Sequence, residues 1–212
     1  MQTGTQTAQR KKWRATWLRQ LHQWHWISSA LCLIGMLLFA LTGITLNHAA
    51  EIEARPQRAS QVLALPAALT GQLAGAETGA GSVMPRDVQS WLKNNLGVDV
   101  RGREVEWSAR DAYVALPRPG GDAWLSIDRN SGEVRHETTD RGWIAYLNDL
   151  HKGRHTGAAW SWFIDLFAVA CFVFCLTGLL LLQFHSTRRP ATWPMVGLGF
   201  VIPCFLLVLL VH

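Results

Sequence analysis

The sequence predicts a membrane α-helical protein, with three spanning helices and a small α+β domain between the first and the second. Apolar residues make up 49% of the 212 residues and charged residues only 17%, below the roughly 25% of an ordinary soluble protein. The charge is also uneven, since residues 1–25 hold five basic side chains and no acid, while residues 49–158 hold 13 basic and 14 acidic ones. Basic flanks around a near-neutral middle are typical of membrane orientation. They argue against nucleic acid as a partner, which requires a basic folded face.

Three apolar stretches are long enough to cross a bilayer, whose ~30 Å core needs about 20 helical residues. We place the spans at 26–47, 160–184 and 194–212. Tryptophans lie at the predicted ends as in an aromatic belt: Trp24, Trp26, Trp160, Trp162 and Trp193. The first span is interpreted as an uncleaved anchor, because its apolar run is too long for a signal peptide and no small-residue cleavage site follows.

The basic residues set the expected orientation of the chain. They predict that segment 1–25 and loop 185–193 are cytoplasmic, so that residues 48–159 lie on the opposite side. In a bacterium, this corresponds to the inner membrane with a periplasmic domain. All four cysteines fall in the apolar stretches, and the chain has no CxxC or CxxCH motif. A zinc ribbon and covalently attached c-type haem are therefore disfavoured.

The middle region is predicted to be one helix on a small antiparallel sheet. The helix begins at Pro85, carries an apolar face and stops at Gly97. Strand-like runs at 103–109, 111–117 and 123–129 are separated by turns, and a return strand starts at Glu133. Residues 55–82 are rich in Ala, Gly and Pro, and the Gly-rich end of this segment predicts a flexible loop.

Seven of the eight histidines lie at predicted membrane boundaries. The inner layer holds His22, His25 and His185, and the outer layer holds His48, His151, His155 and His212. His25 and His48 are 23 residues apart, about 35 Å of helix. A b-type haem needs one or two axial imidazoles and an apolar slot between helices. His48 with His151 or His155 could supply an outer pair, and His25 or His22 with His185 an inner pair. The alternative is that each ring is only solvated at an interface, and that His212 is only a terminus.

Other residues of the spans bear on the same hypothesis. Gly35, Gly43 and Gly178 would allow close approach of helices or of a porphyrin face. Asp165 is the one charged residue of the second span, and a carboxylate inside a membrane is expensive. We expect it to hydrogen-bond a ligand imidazole as a second-layer group or to relay protons, unless it reaches the outer water.

Several motifs resemble PepSY-associated transmembrane proteins. They are LHQWHW…ALTGITLNH in the first helix, LHKG at 150–153 continuing as RHTG, and TGLLLL at the end of the second helix. The predicted helix followed by DAYVALP and AWLSIDRNSGEV resembles a PepSY domain, whose repeat typically ends in a D…GE hairpin. The resemblance covers nearly the whole chain. It implies ligand positions at His25, His48 and His151, while His22, His155 and His185 are candidates from topology alone.

Larger members of this family are similar to ferric-siderophore reductases of the bacterial inner membrane, which carry haem and pass electrons to the periplasm. The resemblance implies one or two haem b groups and a ferric siderophore or other ferric chelate as substrate. No flavin or nicotinamide motif is visible, so the electron donor is expected to be external. Because this chain has only three spans and one PepSY-like unit, a homodimer is a candidate assembly. The alternative is a membrane-anchored PepSY binding or regulatory module, without redox activity, that restrains a peptidase or senses conditions at the envelope.

Overall fold

The computed structural model describes residues 2–52, 55–75, 79–80 and 83–210. Within these ranges, three helices are long and apolar enough to cross a membrane: Gln9–Asn47, Ala158–His185 and Thr192–Leu210. An antiparallel sheet with short helices lies between the first and second of them along the chain. The predicted fold class, a membrane α-helical protein with a small α+β domain, is therefore confirmed. His212 and the end of the third predicted span lie outside the described residues.

Clustering of contacts divides the chain into two units, Met1–Leu38 with Trp162–His212 and Phe39–Ser161. The first unit contains most of helix α1 (Gln2–Asn47), α5 (Ala158–His185) and α6 (Thr192–Leu210). Helix α1 begins well before its apolar stretch, so the basic segment expected before the first span is helical as well. Cys32 on α1 and Thr177 on α5 are buried, whereas no described residue of α6 is buried.

The second unit is built on a six-stranded antiparallel sheet in the order β1-β6-β5-β4-β3-β2. The strands are β1 (Gln57–Ala64), β2 (Gly79–Ala80), β3 (Glu106–Trp107), β4 (Asp111–Ala115), β5 (Gly121–Asp128) and β6 (Glu133–Asp140). Three short helices complete it: α2 (Ala67–Ala74), α3 (Arg86–Leu96) and α4 (Trp143–Lys152). Strand β1 pairs with β6 along its full length, from Gln57 opposite Asp140 to Ala64 opposite Glu133.

Helix α3 covers one face of the sheet with the apolar face predicted from the sequence. Val88 and Leu92 are fully buried in one cluster with Leu125, Ile127 and Val134 of the strands. Burying each such side chain contributes about 1.5–3 kcal/mol. Gly97 ends the helix with φ 68°, a left-handed conformation that glycine adopts without steric cost, and its N–H donates to Lys93 O.

The β5–β6 hairpin contains the D…GE motif. Asp128 Oδ1 accepts the N–H groups of Asn130 at 2.9 Å and Ser131 at 2.8 Å. These two donors hold the pKa of the Asp128 carboxyl below its usual value. Gly132 follows with φ 72°, where a side chain would be strained. In this motif, the aspartate side chain therefore stabilises the turn by accepting two backbone N–H groups.

The structure corrects several predicted elements of the second unit. The strand expected at 103–109 is reduced to β3, because Gly102 takes φ 68° in a turn that precedes it. The runs at 111–117 and 123–129 become β4 and β5 with shifted ends. Segment 55–82 contains β1, α2 and β2 as well as loop, and β2 lies in the Gly-rich end, where it pairs with β3. Most of its Gly-rich end, residues 76–78 and 81–82, lies outside the described residues.

Candidate functional site

His25 on α1 is held by a Thr-Gly pair on α5. Its Nδ1 lies 3.0 Å from Thr177 Oγ1 and 3.2 Å from Phe174 O, and its ring stacks on Phe174 with centroids 4.7 Å apart. Gly178 makes room for the imidazole, since a Cβ at that position would lie only 3.3 Å from His25 Cε1. Helix α5 therefore supplies a hydrogen-bond partner and a flat aromatic surface for the imidazole of His25.

His151 on α4 is held in the same way by a Thr-Gly pair on α1. Its Nδ1 lies 2.7 Å from Thr42 Oγ1, and its ring is tilted against Phe39 with centroids 4.9 Å apart. A Cβ at Gly43 would lie 3.6 Å from His151 Cε1. The same construction, a histidine on a Thr-Gly pair beside a phenylalanine, therefore occurs once in each unit.

The hydrogen bonds determine which nitrogen of each ring carries the proton. Phe174 O can only accept, so Nδ1 of neutral His25 is the donor and Nε2 keeps its lone pair. Thr42 Oγ1 lies 3.1 Å from Phe39 O, so it can donate its proton there and accept from His151 Nδ1. Both imidazoles then offer Nε2, with Nδ1 fixed by a second partner, as metal-ligating histidines usually do.

His22 on α1 and His185 on α5 form a cross-helix pair. Their ring centroids are 6.1 Å apart, with the planes at 86°. His22 Nδ1 lies 2.7 Å from Leu18 O and His185 Nδ1 lies 2.8 Å from Leu181 O. A carbonyl can only accept, so both neutral rings present Nε2 as the unprotonated nitrogen. Both side chains are exposed.

The remaining candidates are less closely associated with each other. His48 is exposed and donates through Nδ1 to Ile44 O at 3.1 Å. His155 is exposed as well and takes φ 58°, the left-handed region that non-glycine residues seldom adopt. Among the described residues no ring contact joins His48, His151 or His155. The structure thus pairs His22 with His185, places His25 on Thr177 and Phe174, and shows no ring contact among the outer candidates that it describes.

Asp165 lies on an exposed face of α5. In the part of the chain that the structure describes, its carboxylate has no hydrogen bond or ion pair. Its expected role as a second-layer group or proton relay stays a prediction.

The donor set fits haem b at the inner end better than it fits a bare metal ion. No described group of three or more His, Cys, Asp or Glu side chains is arranged to hold a metal ion. A haem needs only one or two axial imidazoles between apolar helices. His22 and His185 supply two imidazoles on neighbouring helices, with His25 three residues along α1, although both rings are exposed. Gly35 does not offer a free porphyrin face, because Phe167 packs directly against it.

Thr42 and Thr177 were not singled out by the sequence reasoning. The available signal was the repeated triplet Leu-Thr-Gly, at 41–43 in the first helix and 176–178 in the second. The structure shows that one histidine packs on each copy of the triplet, and this contact could not be inferred from the repeat alone.

The fold and these histidines define a class: a membrane-anchored α+β module with paired imidazoles on its helices. A family model described as PepSY_TM-like matches residues 16–212. The chain belongs to this PepSY_TM-like family. No curated protein and no solved structure was found to match it.

Proposed function

We propose that the chain is a haem-b electron-transfer protein of a bacterial inner membrane. It would take electrons from an external cytoplasmic or quinone donor and reduce a ferric siderophore or other ferric chelate in the periplasm. The observation that carries this proposal is the His22–His185 pair, two rings 6.1 Å apart on neighbouring helices, each with Nδ1 within hydrogen-bond distance of a carbonyl of its own helix.

Each group of residues has a distinct task in this proposal. His185 with His22 or His25 would hold a haem at the cytoplasmic end, and His48 with His151 or His155 a second one at the periplasmic end. Bound haem supplies one-electron exchange at a potential that the axial ligands and their partners set. Leu18 O and Leu181 O would favour a proton on Nδ1 of His22 and His185, and Thr42 Oγ1 can accept from Nδ1 of His151.

The substrate's chemistry agrees with this direction of electron flow. Fe(III) in an oxygen-rich chelate that accepts one electron becomes Fe(II). Hard oxygen donors hold Fe(II) less strongly, so reduction releases the iron.

Replacement of the outer histidines tests the proposal. We expect His48→Ala and His151→Ala each to lower the haem content of the purified protein, with His136→Ala on strand β6 as the matched control. Unchanged haem content in both variants would reject the assignment of these ligands.

A second function, an anchored PepSY binding or regulatory module without redox activity, is favoured by the family match over residues 16–212. In that case, binding behaviour would survive loss of the histidines and would fail with lesions near Trp91 or Trp107. A protein that stays free of haem when haem is supplied during expression would favour this second function.

A further inference from the structure

The second unit contains a groove of about 530 Å³ between the end of α1 and helix α4. This volume is within the range of small-molecule sites, roughly 300–1,000 Å³. Its apolar part comes from the α1 end, including Leu46 and Ile52, and from Trp143, whose side chain is 70% exposed. An open, partly aromatic groove of this size can hold a small organic ligand.

The charge of the groove is strongly one-sided. Four basic side chains line it, namely Arg55, Arg141, Lys152 and Arg154, against a single carboxylate. That carboxylate, Asp149, is 9% exposed and already accepts the Gly120 N–H at 2.9 Å and pairs with Arg141 at 3.6 Å. Among the described residues, the side chains of Lys152 and Arg154 have no carboxylate partner. The charges of Lys152 and Arg154 are therefore available to a ligand.

Arg141 adds a more specific signal. Its Nε is buried and has no hydrogen-bond partner among the described residues. Its other nitrogens make only long ion pairs, 3.7 Å to Asp122 and 3.6 Å to Asp149. The Nε itself is closed to solvent, but the Arg141 side chain is 36% exposed, so its guanidinium can still meet an oxyanion in the groove.

The start of α4 lies in the same groove. Trp143, Ile144 and Ala145, its first three residues, all line it. The preceding Gly142 provides no side-chain cap. The first N–H groups of a helix have no acceptor within the helix, and its N-terminal end carries a partial positive charge. The N-terminal turn of α4 and the basic side chains thus line the same groove.

We propose that this groove is a binding site for a small ligand that carries several anionic oxygens, such as a polycarboxylate. The groove is lined by α4, the helix that carries His151, and by the end of α1, the helix that His151 contacts through Thr42. Asn148, three residues before His151 on α4, lines the groove. Its Oδ1 accepts a hydrogen bond from Thr45 Oγ1 on α1 at 2.8 Å. Identifying the bound anion with the ferric chelate rests on the proposed function, whereas anion binding itself does not.

The test is calorimetric titration of the full chain in neutral detergent with citrate as the probe. We expect Lys152→Gln/Arg154→Gln to weaken citrate binding at least tenfold. Arg58→Gln/Arg103→Gln removes the same charge from exposed positions elsewhere in this unit and should change binding less than twofold. Equal effects of the two pairs, or no selective loss in the groove pair, would overturn the site.

A second arm distinguishes the source of the anionic oxygens. The chain is placed in nanodiscs of phosphatidylcholine with or without phosphatidylglycerol, and retained lipid is identified by mass spectrometry. If the chain retains phosphatidylglycerol but does not bind citrate, and Lys152→Gln/Arg154→Gln alone abolishes that retention, the same site binds a lipid headgroup. Citrate binding by a protein that never takes up haem would support the groove and reject the electron-transfer proposal. Haem uptake without anion binding at the groove would reject the groove as a binding site and support the electron-transfer proposal.

Discussion

His25 Nδ1 lies 3.0 Å from Thr177 Oγ1 on the neighbouring helix. The hydroxyl of Thr177 also lies 2.7 Å from Val173 O, its own helical carbonyl, to which it can donate its proton. The threonine can therefore accept from the imidazole and direct the lone pair of Nε2 away from α5. His151 and Thr42 repeat this relationship at 2.7 Å in the other unit. The threonines are positioning residues for two of the proposed ligands.

The two threonines should differ in importance. Thr42→Val removes the only acceptor recorded for His151 Nδ1 among the described residues, and an unsatisfied donor costs about 1–3 kcal/mol. Thr177→Val should cost less, because Phe174 O at 3.2 Å still accepts from His25. Thermal unfolding in detergent and the haem midpoint potential are the measurements. Thr42→Ser should restore both toward wild type, and an equal response of Thr42→Val and Thr177→Val would contradict this order.

The inner pair should act as one unit. We expect His22→Ala and His185→Ala to cause similar loss of the haem absorbance that belongs to this end of the helices, because each removes one of two axial ligands. The double variant should lose no more than the single variants, since residues that act together are not additive. Haem content per chain is the readout. Additive losses would indicate that the two rings serve separate groups.

The contact of Gly35 with Phe167 predicts a sharp difference among the membrane glycines. A Cβ at Gly35 would collide with the Phe167 ring, whereas nothing lies within 4 Å of a Cβ at Gly199. Overpacking typically costs about 1–3 kcal/mol, so Gly35→Ala should lower the unfolding temperature. Gly199→Ala should leave it unchanged within error. Equal tolerance of both substitutions would mean that α1 and α5 do not pack through this contact.

The β5–β6 turn should make the stability of the second unit depend on acid pH. In the folded state, the N–H groups of Ser131 and Asn130 lower the pKa of the Asp128 carboxyl below its ordinary value of 3.8. The folded state then favours the carboxylate, so its contribution to stability is present above the unfolded value and is lost as pH falls below it. Asp128→Asn should therefore destabilise the unit at pH 7, and by less at pH 3.

Urea unfolding followed by tryptophan fluorescence at both pH values measures this effect. Glu104→Gln, at an exposed loop position, is the control. A destabilisation by Asp128→Asn that stays the same at pH 3 would show that the carboxylate charge is not its cause.

The sequence predicted the elements that have a strong local pattern. The apolar spans, helix α3 with its glycine stop and the D…GE hairpin follow from hydrophobic periodicity and turn chemistry. Strand β1 carries no such pattern, since all eight of its residues are exposed, and it exists because β6 pairs with it. Helix α4 went unpredicted although Gly142 and Gly153 bracket a ten-residue amphipathic segment.

The candidate site shows the same division between local and long-range information. The histidines could be found from their positions at membrane boundaries. Their partners could not, because Thr42 and Thr177 are ordinary helix residues until a ring from a distant part of the chain rests on them. The anion groove likewise combines residues near 50 and near 150, which only the fold brings together.

The most direct test of the central proposal is the visible spectrum of the full chain purified in mild detergent, recorded oxidised and after dithionite reduction. We expect a sharp Soret band, split α and β bands in the reduced form, and about one or two haems per chain. A protein that remains colourless after haem has been supplied during expression would contradict the electron-transfer proposal and leave the histidines as residues of the membrane interface.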